Sequence, residues 1–287
     1  MTLALDGLGP IGVTLDVRAD GSHLDDAALL EDLGYSALWI AGGQLATLDP
    51  LRDVVRATRT VPVGSAIVPA QVYAPEDVVA LRHDVEATDP GRLITGLGGA
   101  HGARPLHTMN AYLDSLDAAD PPVPAGSRVL SALGPRMLEL SRDRAAGALP
   151  LLVTPEYTAQ ARQVLGAGAK LIVMEYVVLE EDPQRARQAA REPISFLTQV
   201  GGYPQNLRRM GFTDEDVATT SDRMLDALVA WGDVDAVAAR VGRHLEAGAD
   251  QVVLVVQPAG PDASLPAQWR TLAKALIHDE DGPVNTV

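Results

Sequence analysis

Eight short apolar stretches recur along this chain, at 11–15, 36–40, 61–68, 92–97, 128–132, 149–153, 171–178 and 251–256. Segments with helical spacing or helix-end signals separate them. These are expected from Asp25 or Asp26 to Leu33, from Asp49-Pro50 onward, and over 75–87, 104–116, 234–247 and 265–277, with two more opening at Pro135 and Pro155. Parallel strands need a crossover of about a dozen residues or more, most often a helix, and this spacing supplies one after almost every strand. Eight such units in 287 residues predict a (β/α)8 TIM barrel, with a doubly wound open sheet as the competing arrangement. The stretch 182–233 is too long for a simple strand-to-helix loop. It is expected to be a helical insertion between strands seven and eight, covering one side of the barrel mouth within a single domain spanning 1–287.

Two successive junctions in 127–169 are built to one plan. Gly134-Pro135 follows one strand and opens a helix, and Thr154-Pro155-Glu156 follows the next. Proline costs nothing at a first helical turn, where its missing N–H would have no partner anyway. Thr154 is placed to cap its helix and Glu156 to sit in the favourable first turn. Unpaired N–H groups at helix starts attract anions, and in a parallel barrel these ends lie at the carboxyl edge of the strands, where ligands sit. The pair reads either as ordinary capping or as a cradle of phosphate size, with Arg136 beside it and Arg104, Arg208 and Arg209 in reach of the mouth.

Composition narrows the choices. The chain carries 38 acidic and 23 basic residues, a net charge of -15, which opposes a nucleic-acid partner. It has no cysteine, which removes disulfides, thiolate metal sites and cysteine catalysis. No apolar run approaches the roughly 20 residues of a membrane span, and residues 1–10 lack a basic leader with a long apolar core. A cytoplasmic protein is the expectation. The six histidines show no H-x-H or H-E-x-x-H spacing, so no metal site is expected.

Several single residues stand out. The run Gly96-Leu97-Gly98-Gly99-Ala100-His101-Gly102 follows a strand but lacks the G-x-G-x-x-G spacing of a dinucleotide fold. Its glycines would let a flat ligand or another backbone come close. His101, at the expected carboxyl end of strand four, reads as a general acid or substrate contact, or as a solvated loop residue; His107 reads as a surface residue of the next helix. Ser65-Ala66-Ile67 is a strand end whose small residues permit a planar ring to approach. Trp39 reads as core packing or as a stacking contact. Glu175 interrupts an apolar strand; facing the barrel interior, it would need a basic partner.

Taken together, these motifs resemble the luciferase-like monooxygenase superfamily, and within it the oxidoreductases that use coenzyme F420. The likeness runs through Leu33-Gly34-Tyr35 to Trp39-Ile40, the G-R-x-x-x-G-x-G run from Gly91 to Gly98, the junctions at Gly134-Pro135-Arg136 and Val153-Thr154-Pro155, and the run from Tyr203 through Asn206, Arg208 and Arg209 to Phe212. Ser221-Asp222-Arg223 and Ala230-Trp231-Gly232-Asp233 extend it. The resemblance implies a TIM barrel with its cofactor at the carboxyl face. It implies a non-prolyl cis peptide at the end of strand three, at Ala66–Ile67 or Ser65–Ala66, behind a deazaflavin ring. Cofactor contacts then fall on Trp39, Ser65, Ala66, Ile67, Gly98, Gly99, Gly134, Pro135, Arg136, Val153 and Thr154, with His101 handling the proton that accompanies hydride transfer. A small organic substrate and a homodimer are implied as well.

The chain departs from that pattern at Ala41-Gly42-Gly43-Gln44, which offers no titratable group, and at 146–150, which lacks an acidic residue. Three other readings therefore stay open. They are an FMN-dependent monooxygenase, a cofactor-binding barrel without catalysis, and an unrelated barrel enzyme acting on a phosphorylated substrate.

Overall fold

The computed structural model describes residues 5–278 apart from His101, Pro261 and the side chain of Gln44. Eight parallel strand positions close on themselves. The order runs from β1 (Ile11–Thr14) through β2 (Leu38–Ile40), β3 (Val63–Ser65), β5 (Leu93–Gly98), β6 (Arg128–Leu130), β7 (Gly147–Ala148) and β8 (Lys170–Leu179) to β10 (Gln251–Val256). Two pairings close the ring, Ile11 opposite Val252 and Gln251 opposite Ile172. An open sheet would leave two strand edges unpaired; here there are none in the ring, and the barrel expectation holds.

The strands alternate sides, and each side has its own core. Trp39, Ile94, Val129, Leu149, Ile172, Met174 and Val253 fill the barrel interior. Val13, Leu38, Ile40, Val63, Leu97, Leu130, Val252 and Leu254 face the helices instead, packing with α1 (His23–Asp32), α2 (Asp49–Ala57), α3 (Pro75–Thr88) and α4 (Pro105–Ala118). Residues α5 (Pro135–Arg144) and α6 (Pro155–Leu165) contribute to a third cluster on the outside of β7 and β8. Helices α11 (Val234–Glu246) and α12 (Leu265–Leu276) complete the outer ring.

Three boundaries differ from those read in the sequence. The sixth barrel strand is Gly147–Ala148, earlier than 149–153. A side chain on Gly147 would put its Cβ 2.0 Å from the Lys170 carbonyl oxygen, so only glycine admits so close a neighbouring strand. Helix α1 starts at His23, ahead of Asp25, with Ser22 in the cap position. The stretch between β8 and α11 is not all helical. It runs through α7 (Pro183–Leu197), α8 (Tyr203–Arg209), α9 (Asp214–Thr219) and α10 (Asp222–Leu228) into β9 (Val229–Gly232). Strand β9 pairs with the far end of β8, Tyr176 opposite Val229 and Leu179 opposite Gly232.

The third barrel strand is interrupted. Val63 pairs with Leu93, but after the break the strand resumes as β4 (Val68–Pro69), with Val68 opposite Leu97. Five steps of one strand thus face four of its neighbour, which is a bulge. The Ala66–Ile67 peptide within it is cis, at the first of the two positions the family resemblance implied. Ser65 fills the gap in the ladder: its hydroxyl donates to the Gly96 carbonyl and accepts from the Gly96 N–H, both at 2.9 Å.

The bulge also explains three glycines. A Cβ on Gly96 would lie 1.9 Å from the Ser65 carbonyl oxygen, and one on Gly42 would lie 2.6 Å from that of Ile67. A Cβ on Gly98 would meet Ile67 Cδ1 at 2.9 Å on the bulge side and Ser131 Cβ at 2.8 Å on the other. Gly96→Ala is therefore expected to cost about 1–3 kcal/mol or more in urea unfolding. Gly168→Ala, with nothing within 4 Å, is expected to stay within about 0.5 kcal/mol. Equal effects from the two would refute this account of the bulge.

Candidate functional site at the barrel mouth

Residues in register on parallel strands point to the same side, so the inner lining can be followed upward. Met174 belongs to the interior plug, and Tyr176, two residues on, stands in register with Val255. On β1, Gly12 faces Trp39 and Gln251, while Leu15 packs outward in the helix-facing core and donates its N–H to the Trp39 carbonyl. The alternation thus continues past the strand, and Thr14 and Asp16 face the mouth. Ala66 and Ile67 are half-buried there, beside Leu151 and Val255. The carboxyl end of the barrel therefore has an apolar floor, the bulge on one wall, and Tyr176 with Asp16 on another.

Burial, and next the Asp16 carboxylate, push the Tyr176 hydroxyl up to about 12. It stays protonated through the neutral range and can donate a hydrogen bond. Asp16, Thr14 and Tyr176 were not singled out in the sequence, although the period-two pattern of strand one, counted from the apolar Ile11, Val13 and Leu15, would have assigned Asp16 to the inner side. Asp16 supplies a carboxylate at the mouth, where the segment after strand two supplies none.

The sequence-derived site residues fall into separate places. Ser65, Ala66, Ile67, Gly98 and Gly99 come together at the bulge. Of the two partners the glycines could have admitted, a flat ligand or a backbone, the bulged chain occupies the space beside Gly96, Gly98 and Gly99; at Gly99 a Cβ would lie 2.9 Å from Pro69 Cβ. Trp39 is not at the mouth. It is wholly buried, and its Nε1 donates to Gln251 Oε1 at 2.9 Å. Gln251 opens β10, so the indole points to the amino-terminal floor, and packing is its role. Val153 is wholly buried on the helix side with Ala132 and Leu138, leaving only its backbone for a ligand. His101 lies outside the described residues. His107 is exposed on α4, and Arg208 reaches away to Asp214 at 2.5 Å.

The two helix starts proved unlike each other. Thr154 caps α6, accepting from the Tyr157 N–H at 3.4 Å. A hydrogen bond from the Thr154 hydroxyl, followed by one from its own N–H, holds the Glu156 carboxyl below the usual range. The start of α6 thus already faces a carboxylate from its own chain. At α5 the cap is Gly134, Pro135 takes the first helical position, and the first turn carries no acidic residue. Arg136 is exposed there, and Arg209 of α8 lies against Gly134, its Nη1 3.2 Å from where a Cβ would stand. Of the two junctions, the one at Gly134 is open to an outside anion.

Glu175 is buried and has its basic partner, but on the opposite side from the one expected. It continues the outward alternation of Leu171 and Val173 and faces the helices, not the barrel interior. Arg240 Nε of α11 donates to Glu175 Oε1 at 3.1 Å, His244 Nε2 stands 3.3 Å from Oε2, and Thr158 Oγ1 is 2.8 Å from His244 Nδ1. All four groups are buried. They tie α6 and α11 to β8 on the helix-facing side of the strand. No cluster of three or more potential metal ligands occurs among the described residues, and no helix there is long and apolar enough to cross a membrane.

Comparison with known proteins bears on the fold. No protein-family model and no curated protein matches the sequence. Among solved structures, an F420-dependent secondary alcohol dehydrogenase in complex with an F420-acetone adduct is similar, with TM-score 0.67, 14% identity, and 93% of this chain and 97% of that one covered. The coenzyme F420 dependent tetrahydromethanopterin reductase from Methanopyrus kandleri gives TM-score 0.67 and 16% identity, with 94% and 99% covered. The oxygenating constituent of 3,6-diketocamphane monooxygenase from the CAM plasmid of Pseudomonas putida, in complex with FMN, gives 0.64 and 10%, with 93% and 96% covered. At these identities the likeness establishes the fold alone: a TIM barrel, matched over nearly the full length.

Two outcomes follow for the residues located here. The absorbance difference between wild type and Tyr176→Phe should show a phenol ionising near pH 12, and Asp16→Asn should move it toward the ordinary value of about 10. Because the folded value is the raised one, the associated stability is full below about pH 10 and is lost as pH rises through about 12. Ionisation at the ordinary value would refute the placement of Tyr176. Glu175→Ala leaves Arg240 uncompensated and should lower stability by about 3–5 kcal/mol in urea unfolding, without changing ligand affinity at the mouth.

Proposed function

We propose that this chain is an oxidoreductase of the luciferase-like class that transfers a hydride between coenzyme F420 and a small organic substrate. The observation that carries this reading is the joint arrangement at one barrel end: a bulge at Ala66–Ile67 held between glycines, and a helix start at Gly134 open to an anion. The F420-dependent and FMN-dependent proteins with the same fold support it, and the motif order read in the sequence favours the deazaflavin.

The residues present fit such a group. Gly134 leaves out the Cβ that would crowd an anion between α5 and Arg209, and no acidic side chain competes in that first turn. Gly134, Pro135 and Arg136 would hold a phosphate, with Thr154 and the Val153 backbone beside it. Ala66 and Ile67 would back the ring, with Ser65, Gly98 and Gly99 fixing the bulge. Bound there, a deazaflavin supplies two-electron hydride chemistry at its C5 carbon.

The chain's own task is to orient the substrate, exclude water and move a proton. His101, which follows strand four in the sequence, is the candidate for the proton. Tyr176 can also donate at the mouth, with Asp16 as the nearby carboxylate. Helices α7 to α10 cover one side of the mouth as a helical insertion. A homodimer in the cytoplasm belongs to the same reading.

An FMN-dependent monooxygenase is the second reading, since an FMN complex shares the fold. Titrating the purified protein with F420 and, separately, with FMN decides between them by fluorescence. Micromolar or tighter F420 binding without FMN binding is the expected result. FMN binding alone would move the protein to the flavin monooxygenases, and binding of neither would overturn the proposal.

A further inference from the structure

The anion-receptive start of α5 has a neighbour that belongs to neither the strand nor the helix of that junction. Helix α8, from the stretch between β8 and α11, lies across it. Gly202, just before α8, points at Leu133, a Cβ there standing 4.0 Å from Leu133 Cδ1. Tyr203 packs with the cluster containing Leu152 and Tyr176, and Met210 packs with the clusters on both sides, one of which contains Leu133 and Val153. Residues three or four apart share a helix face, so Asn206 and Arg209 lie on the face turned toward the two junctions.

Both side chains are unusual. Asn206 is 1% exposed, yet neither its amide nitrogen nor its amide oxygen has a hydrogen-bond partner. A buried amide left unpaired costs about 1–3 kcal/mol, so such groups normally meet a partner. Arg209 lies with its guanidinium against Gly134, and no carboxylate pairs with it among the described residues. Arg208 beside it pairs with Asp214, whereas the exposed Arg209 is set apart by its approach to Gly134, Nη1 standing 3.2 Å from where a Cβ would be. Gly134 has an ordinary φ of -93°. The space its missing side chain leaves for the guanidinium is therefore what glycine provides at this position.

We infer that Arg209, with Asn206 one turn before it, is the residue by which this chain selects ligands that carry a phosphate. The α8 face closes the anion site from above, opposite the start of α5. The inference rests on the proposed function for the identity of the ring, but not for the phosphate. Arg209 is a specificity residue: its fork of N–H donors suits a phosphate.

The test separates phosphate from ring. Wild type, Arg209→Ala and Arg208→Ala are titrated with two ligand pairs, F420 against its phosphate-free deazaflavin chromophore, and FMN against riboflavin. Inorganic phosphate is added as a third probe, followed by phosphorus NMR line broadening. Arg209→Ala should weaken the phosphate-bearing member of whichever pair binds by about tenfold to a hundredfold, and its phosphate-free partner by less than about twofold. Arg208→Ala removes the same charge from the next residue and should change neither. Arg209→Lys should recover part of the loss, because the charge returns without the fork.

Equal weakening of both members of a pair by Arg209→Ala, or no weakening, overturns the inference. So does an Arg208→Ala effect as large as that of Arg209→Ala. Failure of both ring pairs would sink the proposed function and leave the inorganic phosphate arm to decide. Broadening in wild type that Arg209→Ala abolishes then supports the anion site, and its absence in wild type refutes it. Thermal unfolding of each variant shows that the fold is retained.

Discussion

The Ser65 carbonyl occupies the position where any residue other than glycine at 96 would carry its side chain. That contact, with the paired hydrogen bonds between the Ser65 hydroxyl and the Gly96 backbone, lets the third barrel strand gain a residue and still stay in the sheet. A bulge changes which way the following side chains point. Here it turns Ala66 and Ile67 toward the mouth and carries Val68 and Pro69 back onto β5. The glycines at 42, 96, 98 and 99 are arranged around it. Much of the site wall is thus decided by one backbone-to-backbone approach that no larger residue would permit.

Charge is distributed with equal economy. Most arginines are paired at the surface, where individual ion pairs contribute little. Two arginines that pair with no carboxylate among the described residues, Arg136 and Arg209, stand at the start of α5, where with the helix-end N–H groups they favour a negative ligand. The neighbouring start of α6 has an almost identical local sequence plan, yet Glu156 faces it. An anion that approached both ends would meet attraction at one and a carboxylate at the other, so the two junctions divide the work instead of sharing it.

Glu175 illustrates a different principle. A carboxylate inside an apolar strand needs partners wherever it faces, because burying an unpaired charge is costly. Its partners Arg240 and His244 come from α11, some 65 to 70 positions later in the chain, and Thr158 joins from α6. Partnering was foreseeable from the residue type alone. The side on which it occurs was not, because a strand of continuous apolar residues carries no alternation to mark inside from outside.

That limit separates what the sequence determined by itself from what the tertiary structure decided. The strand–helix alternation, the Pro135 and Pro155 helix starts, the Thr154 cap and the closed barrel were legible, since they depend on local propensity and on periodicity along the chain. So was the position of the bulge, through resemblance. The sixth strand was placed too late because Gly147-Ala148 has no side-chain pattern that marks a strand, and only the approach of Gly147 to Lys170 makes it one. Strand β9 escaped because Val229–Gly232 is short and follows a helix directly. The direction of Trp39, the inner position of Tyr176, the meeting of Arg209 with Gly134 and the orphaned amide of Asn206 all arise between segments remote in sequence. Which face a strand buries, and what crosses above it, is fixed only when the barrel closes and the helices dock, because those contacts do not exist in any segment alone.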